Sequence, residues 1–426
     1  MSFRSRKSKI DDSYFYKGYS IVLYPTEEQK SYFEKSINLS RFVYNWTKDQ
    51  IELQKSLYNA DVVDRKFISE YELQKKLSEF RNENEWLQEV PLGTLRNAMF
   101  DCIKAYDYFY DKRYRNKYPK YRTKKRSKKV FKPRSDKGKI YFDGSKVRIE
   151  GLPFGDKVET KWNFGFDKNT ELKDSSIKYN PNGTYTLSFS VLTKKPCYEG
   201  LSDKEIDNYV YTPKYNRAIG IDLNVKNLIV TSYNNGETYK APNVDAKLKS
   251  INKLRKQCSK DQVRYRQEIE KMEITNLSED NLPEKSNNAK KRQLRLNKKV
   301  NKVSNIYNNH IRTVSKQVVT RHPQAIIMED LDVYTMKSKH YISTHLGFYT
   351  PFGKIRTVFE HNCYKYGVPF YVAERDYPSS SICSNCGYHK NIYSSKYFIC
   401  PNCGVRIDRD INSSFNLEHW YYQNIA

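Results

Sequence analysis

Apolar positions recur at helical intervals through the first quarter of this chain, after one short strand. The strand is predicted at 16–23 (YKGYSIVL) and closed by Tyr24-Pro25. Thr26 then stands where a helix N-cap belongs, with Gln29 three residues on to complete a capping box. Phe33, Ile37, Phe42, Val43 and Trp46 form the apolar face of the helix that follows. Tyr71, Leu73 and Leu77 point inward from a second helix at 69–82, and Leu95, Met99, Ile103, Tyr106 and Phe109/Tyr110 from a third at 95–112. Trp86-Leu87 and Val90-Pro91 mark the break between them. The prediction is a compact helical domain with its aromatics in the core.

The period changes to two from 139 to 193. Short strands are predicted at 139–142, 146–150, 157–161, 176–179 and 184–192, with Asn182-Gly183 as a hairpin turn. A small barrel joined by the 16–23 strand is the economical arrangement, and 194–214 reads as a polar linker. Next, RAIGIDLNVKNLIVT (217–231) holds an apolar strand with a single central carboxylate, Asp222, and runs through Lys226 to a second strand at 228–231. Residues 246–321 predict two long helices. Their apolar stripes are Ile251, Leu254 and Cys258, then Val300, Val303, Tyr307, Val314 and Val318, with a loop near Pro283. AIIMEDLD (325–332) is a further buried-type strand ending in Glu329. A loop with His340 and His345 follows, neither histidine at ligand-like spacing, then a helix at 351–366, a strand at 369–372 and a last helix at 411–417.

Charge narrows the function. The 426 residues carry 76 Lys+Arg against 49 Asp+Glu, a formal net charge of +27, which points to a polyanionic partner and most simply to nucleic acid. The charge is concentrated in 112–132, with twelve Lys/Arg, no acid, and interleaved Tyr114, Tyr118, Tyr121 and Phe131. Regularly placed aromatics suit base or ribose stacking better than they suit a plain linker. Lys117, Lys120, Tyr121, Arg122, Lys124, Lys125, Arg126, Lys128 and Lys129 are the candidate nucleic-acid contacts. No run of 18 apolar residues exists, so no transmembrane span is expected. The first twelve residues read as disordered and lack the apolar core of a secretory signal.

Cysteines and acids supply the candidate chemistry. Four of the eight cysteines form two Cys-x2-Cys knuckles, Cys383/Cys386 and Cys400/Cys403, each followed by a glycine, Gly387 and Gly404. That spacing closes a tetrahedron of thiolates around structural zinc. The others, Cys102, Cys197, Cys258 and Cys363, lack framework spacing, which argues for a reducing compartment. Immediately after the knuckles comes Asp408-Arg409-Asp410. Asp222, Glu329 and Asp410 thus stand within or at the ends of elements separated by long helical insertions. This arrangement fits an RNase H-like α/β core whose carboxylates converge on two Mg²⁺ ions.

At this point the sequence resembles the TnpB proteins of bacterial insertion sequences, their eukaryotic and viral relatives called Fanzor, and more distantly the type V CRISPR effectors. The matching pieces are YPTEEQ, RFVYNW, WLQEVP, KYPKYRTKKRSKK, GIDLNVKN, IIMEDL, PSSSICSNCG and CPNCGVRIDRDINSS. The resemblance implies a multidomain α+β protein with a RuvC-type nuclease core, a zinc ribbon, a helical recognition domain and a wedge-like β-barrel. The implied partition is 1–25 for the first wedge strand, 26–113 for recognition, 114–214 for the basic segment and wedge, 215–380 for nuclease, 381–405 for zinc ribbon, and 406–426 for the last nuclease part. It implies an RNA-guided, Mg²⁺-dependent endonuclease of double-stranded DNA, with guide RNA and target DNA as partners and Asp222, Glu329 and Asp410 as the nuclease acids. Sequence choice would then rest with base pairing, and the protein would read only a short adjacent motif. In such proteins the segment after WL-x-EV faces that motif, which makes Arg96 the guanine- or phosphate-facing candidate. Ser413-Ser414 stands where the family usually has two alanines. A monomer is expected, located with the nucleoid in a bacterium or in the nucleus of a eukaryotic or viral host. A nuclease-silent RNA-guided repressor and a strand-joining transposase are the alternatives. The first is disfavoured by the three intact acids, and the second is separable by a strand-transfer assay without guide.

Overall fold

Thr26 caps the first helix as its sequence predicts: its side chain accepts the Gln29 amide while the Gln29 side chain accepts the Thr26 N–H. The computed structural model describes residues 12–426 except 114–115, 126, 136–137, 154, 162, 164, 167–169, 225–226, 274–283, 332–351 and 391–395. The expectations for residues 1–11, Tyr114, Arg126, Lys226, His340 and His345 lie outside the described residues. The chain divides into two units, Met1–Thr193 and Lys194–Ala426.

In the first unit, β1 (Tyr14–Tyr24) leads into α1 (Glu27–Asn59), followed by α2 (Glu70–Glu83) and α3 (Leu92–Tyr110). Val43, Tyr44, Leu73, Leu77, Leu95 and Met99 are among the residues that share one core between these helices. Tyr71 is not among them; it is 77% exposed, two residues before Leu73 and so on the opposite side of the helix from the Leu73/Leu77 stripe. Six further strands follow: β2 (Val130–Phe131), β3 (Tyr141–Asp143), β4 (Lys146–Arg148), β5 (Val158–Thr160), β6 (Lys173–Tyr179) and β7 (Tyr185–Lys194). With β1 they form one sheet in the order β2-β6-β7-β1-β5-β4-β3. Phe142 of β3 and Phe189 of β7 have ring centroids 5.3 Å apart although three strands separate them in that order. A flat sheet would hold them about 19 Å apart. The sheet is therefore rolled around a single core, which also takes Phe33 and Ile37 of α1. Among the described residues its edge strands β2 and β3 do not pair, so the expected barrel has an open seam.

Phe131 corrects the sequence reading. It is 1% exposed, packed against Tyr32 and Phe33 inside the rolled sheet, and so is no stacking platform. Two apolar residues inside a run of cations are too short an alternation to read as a strand.

The second unit begins at 194–214, which the sequence suggested was a linker. It holds a short helix, α4 (Asp203–Asp207), started by a Ser202/Glu205 capping box. Tyr211 packs against the unit's core and donates its hydroxyl to the Pro323 carbonyl at 2.8 Å. The sheet of this unit is β8 (Ile219–Asn224), β9 (Leu228–Thr231), β10 (Glu237–Tyr239), β11 (Ile326–Glu329) and β12 (Phe370–Ala373), in the order β10-β9-β8-β11-β12. Counted along the chain this is 3-2-1-4-5, with β8–β9 and β9–β10 antiparallel and β8–β11 and β11–β12 parallel. Alternation sends Ile219, Ile221 and Leu223 to one face, where they meet α5 (Asp245–Glu273), α6 (Asn287–Val319) and α7 (Phe352–Tyr366). On the other face Ala218, Ala325, Ile327 and Ala373 meet Leu417 and Trp420 of α8 (Arg409–Asn424). A two-stranded ribbon, β13 (Tyr397–Ile399) with β14 (Arg406–Asp408), leads directly into α8. Among the described residues no helix is long and apolar enough to cross a membrane.

Candidate metal centres

The cysteine knuckles build the first centre. Gly387 and Gly404 take φ of 74° and 71°, a backbone region that glycine enters without a Cβ penalty, so each knuckle turns back on itself. The four Sγ atoms lie within 4.8 Å of one another, with Cys383–Cys403 and Cys386–Cys400 each 3.6 Å apart. Sulfurs about 2.3 Å from a central zinc would be about 3.8 Å from each other, so the spacing fits structural zinc. The Asn402 amide donates to Cys386 Sγ at 3.5 Å, and hydrogen bonding, first from the Asn385 side chain, draws the Cys403 thiol down to about 6. Phe398, Val405 and Ile407 pack beneath the buried pair Cys383 and Cys400.

The ribbon is fastened to α8 by two asparagines. Asn412 accepts the Ser384 N–H at 2.9 Å and donates to the Ile382 carbonyl at 2.6 Å, and Asn416 donates to the Ser379 and Ile382 carbonyls, both at 2.7 Å. Asp408 is the N-cap of α8; its Oδ1 accepts the Asp410 N–H at 3.0 Å. The two acids of Asp-Arg-Asp therefore have different tasks. The first starts the helix, and the second projects from its first turn.

The second centre is carboxylate. Gly220, Asp222 and Asn224 alternate onto the β8 face that meets α8, and Glu329 shares the corresponding face of β11 with Ala325 and Ile327. Met328 pairs with Ile221, so Glu329 stands one residue further along, level with Asp222, where its Oε1 accepts the Leu223 N–H at 3.3 Å. Asp410 comes down from α8, with Asn224 and Asn227 both donating to its Oδ2, at 2.6 and 3.0 Å. The structure thus gathers Asp222, Glu329 and Asp410 where α8 meets one face of the sheet, close enough that the charges of Glu329 and Asp410 act on Asp222. Asp222 is 7% exposed, and burial, then the charges of Glu329 and Asp410, push its carboxyl well above the usual range. Burial likewise raises Glu329, to about 7, although the Leu223 N–H opposes it. Buried carboxylates that resist ionisation beside one another are a donor set that a hard divalent cation offsets.

The predicted nucleic-acid contacts in the first unit divide. Lys117, Lys120, Lys124, Lys125, Lys128 and Lys129 are exposed. Arg122 is half-buried, its guanidinium 3.6 Å from the Tyr44 ring centroid and 3.8 Å from Asp101. Tyr121 is 53% exposed, yet its hydroxyl donates to Asp49 at 2.5 Å. Arg96 lies half-buried against α2, donating to Ser78 Oγ at 3.4 Å. Sequence reasoning missed Gly220, Asn224, Asn227, Asn412 and Asn416. The signal for the first two was the even spacing of Gly220, Asp222 and Asn224.

Two family models match the chain: a helix-turn-helix domain of the IS605 OrfB proteins over residues 15–56, and the Cas12f1-like TNB domain over residues 352–417. The first match falls on β1 and most of α1, a strand and one long helix. A Streptomyces pristinaespiralis protein named "Putative RNA-guided DNA endonuclease" is 20% identical over 405 residues, 94% of this chain and 88% of that protein. The TnpB-like protein L79 of Acanthamoeba polyphaga mimivirus is 40% identical over 68 residues, 15% of this chain and 13% of that protein. Among solved structures, a Cas12f1–sgRNA–target DNA complex shares the fold with a TM-score of 0.52 at 13% identity, covering 92% of this chain and 83% of that one. Two family matches in the expected order, with this mixed α+β fold and a four-cysteine cluster, point the same way. The chain resembles the TnpB (IS605 OrfB) proteins and, with them, Cas12f.

Proposed function

We propose that this protein is a guide-RNA-directed, Mg²⁺-dependent endonuclease of double-stranded DNA, and that its second unit is an RNase H-like, RuvC-type nuclease. The observation that carries the reading is the presence of Asp222, Glu329 and Asp410 on one face of a 3-2-1-4-5 sheet, each from a different element. Their hard oxygen donors suit Mg²⁺, whereas the thiolates suit zinc. Asp222, Glu329 and Asp410 would hold two Mg²⁺ ions, whose chemistry would be activation of a water and stabilisation of the leaving 3′ oxygen of a phosphodiester.

The chain's own residues prepare that chemistry. β8 and β11 hold Asp222 and Glu329 rigidly in a buried setting, and the Leu223 N–H fixes one Glu329 oxygen. The Asp408 cap and the zinc ribbon set where α8 starts, and so where Asp410 sits. In the first unit the helices and rolled sheet serve as recognition and wedge domains for guide RNA and heteroduplex. The exposed lysines from Lys117 to Lys129 neutralise backbone phosphate. Arg122 acts instead by anchoring their segment on Tyr44.

The test is to co-express the chain with its flanking DNA, sequence the RNA that co-purifies, and challenge the complex with a plasmid library randomised beside a matching target. Mg²⁺-dependent cutting enriched for one short flanking motif is expected. A complex that retains RNA and binds matched target without cutting it would overturn the nuclease reading.

A further inference from the structure

Asn224 and Asn227 have no part in the assignment so far, yet both amides converge on a single oxygen of Asp410. We infer that they are positioning residues, which hold Oδ2 of Asp410 so that its Oδ1 is presented to a divalent cation; the inference rests on the nuclease reading above.

The geometry is specific in three respects. First, both donors reach the same oxygen, at 2.6 and 3.0 Å, from the end of β8 and from the turn residue just before β9. A carboxylate gripped by one oxygen cannot rotate about its terminal bond, and the other oxygen of Asp410, Oδ1, faces the Arg409 guanidinium across a long 3.8 Å separation. Second, the amide orientation is fixed at both ends. The Asn224 Oδ1 accepts the Asn227 N–H at 3.5 Å, so its Nδ2 is the end that faces Asp410, and the flipped amide would oppose two oxygens. Third, the donors are neutral. A lysine or arginine in their place would grip the oxygen equally well but would add a second positive charge to that of Arg409 where a cation must bind. Two amides orient the acid and leave its charge intact.

Asn224 also shares a strand face with Asp222, two residues away. One strand thus supplies a first acid directly and orients the third. Outer partners of this kind typically set metal affinity, and their loss lowers it roughly 10- to 100-fold.

The experiment compares wild type, Asp410→Ala, Asn224→Ala/Asn227→Ala and Asn227→Ser as guide-loaded complexes. Mn²⁺ affinity is read by electron paramagnetic resonance, guided target binding is measured in EDTA, and thermal unfolding is recorded in EDTA. The expected result is a roughly 10-fold or greater loss of Mn²⁺ affinity in the double variant, partly restored in Asn227→Ser, whose hydroxyl can still donate. Target binding and melting temperature stay at wild-type values. If Asp410→Ala weakens Mn²⁺ binding and the double variant does not, the positioning role is wrong while the nuclease site stands. If Asp410→Ala binds Mn²⁺ as wild type does, both readings fall. A double variant that loses target binding and melting temperature along with Mn²⁺, with Asn227→Ser showing no selective effect on metal, would make these asparagines structural only.

Discussion

Gly220 lies directly beneath Ser414: a Cβ built on Gly220 would stand 2.0 Å from the Ser414 carbonyl oxygen and 2.6 Å from the Glu418 nitrogen. Both are helix backbone, which cannot swing aside. The glycine is what allows α8 to seat on β8. Gly220→Ala is expected to lift the helix, lower stability by on the order of 3 kcal/mol and remove cleavage. Thermal unfolding and a guided cleavage assay check it. A variant that melts and cuts as wild type would show that the contact is dispensable.

The acids predict a divergence between stability and activity. Asp222 is buried beside two other carboxylates, a setting in which an ionised group weakens the fold unless a cation is present. In EDTA near neutral pH, Asp222→Asn should therefore raise the melting temperature by a few degrees. It should also abolish cleavage and preserve guided binding. Loss of stability in EDTA would refute this account of the site.

Zinc removal should act at a distance. Asn412 and Asn416 join α8 to the ribbon backbone, so an unfolded ribbon leaves the helix start unsupported. Cys400→Ser, or a zinc-selective chelator, is expected to lower the melting temperature by roughly 5 °C or more and to abolish cleavage even at saturating Mg²⁺. Full activity in zinc-depleted protein would uncouple the two centres.

Glu52 gives the first unit an acid-sensitive fastening. Burial alone would raise its carboxyl, but hydrogen bonds from Tyr106, Tyr118 and Lys48, with Lys55 close by, hold it down at about 2. A depressed carboxylate stabilises the fold above its ordinary value and loses that contribution as pH falls toward the folded one. Glu52→Gln should therefore melt lower than wild type at neutral pH. It should also flatten the decline in melting temperature between about pH 4.5 and about pH 2. Parallel curves for the two proteins would argue against a role for this charge.

The sequence made some of this plain and hid the rest, for physical reasons. Capping is local, so Thr26 with Gln29 was readable directly. Asp222 was visible because a lone carboxylate in an apolar strand is anomalous. Phe131 was not, because its charged neighbours mask a two-residue strand. The fastening of 194–214 was hidden because Tyr211 finds its partner at Pro323, more than a hundred residues on. The asparagines were harder still. An asparagine in a turn looks like any other, and only the arrival of Asp410 gives Asn224 and Asn227 a distinguishing role.

The contact between Asn224 and Asp410 spans 186 positions of chain. Closing so long a loop is slow, and it cannot precede the sheet that α8 packs upon. The three proposed nuclease acids are therefore incomplete until α8 is seated. A chain that has built its sheet but not yet seated α8 holds two carboxylates and no third. On the proposed reading, a nuclease of this design would be harmless while immature, because the same seating step that finishes its core would also arm it.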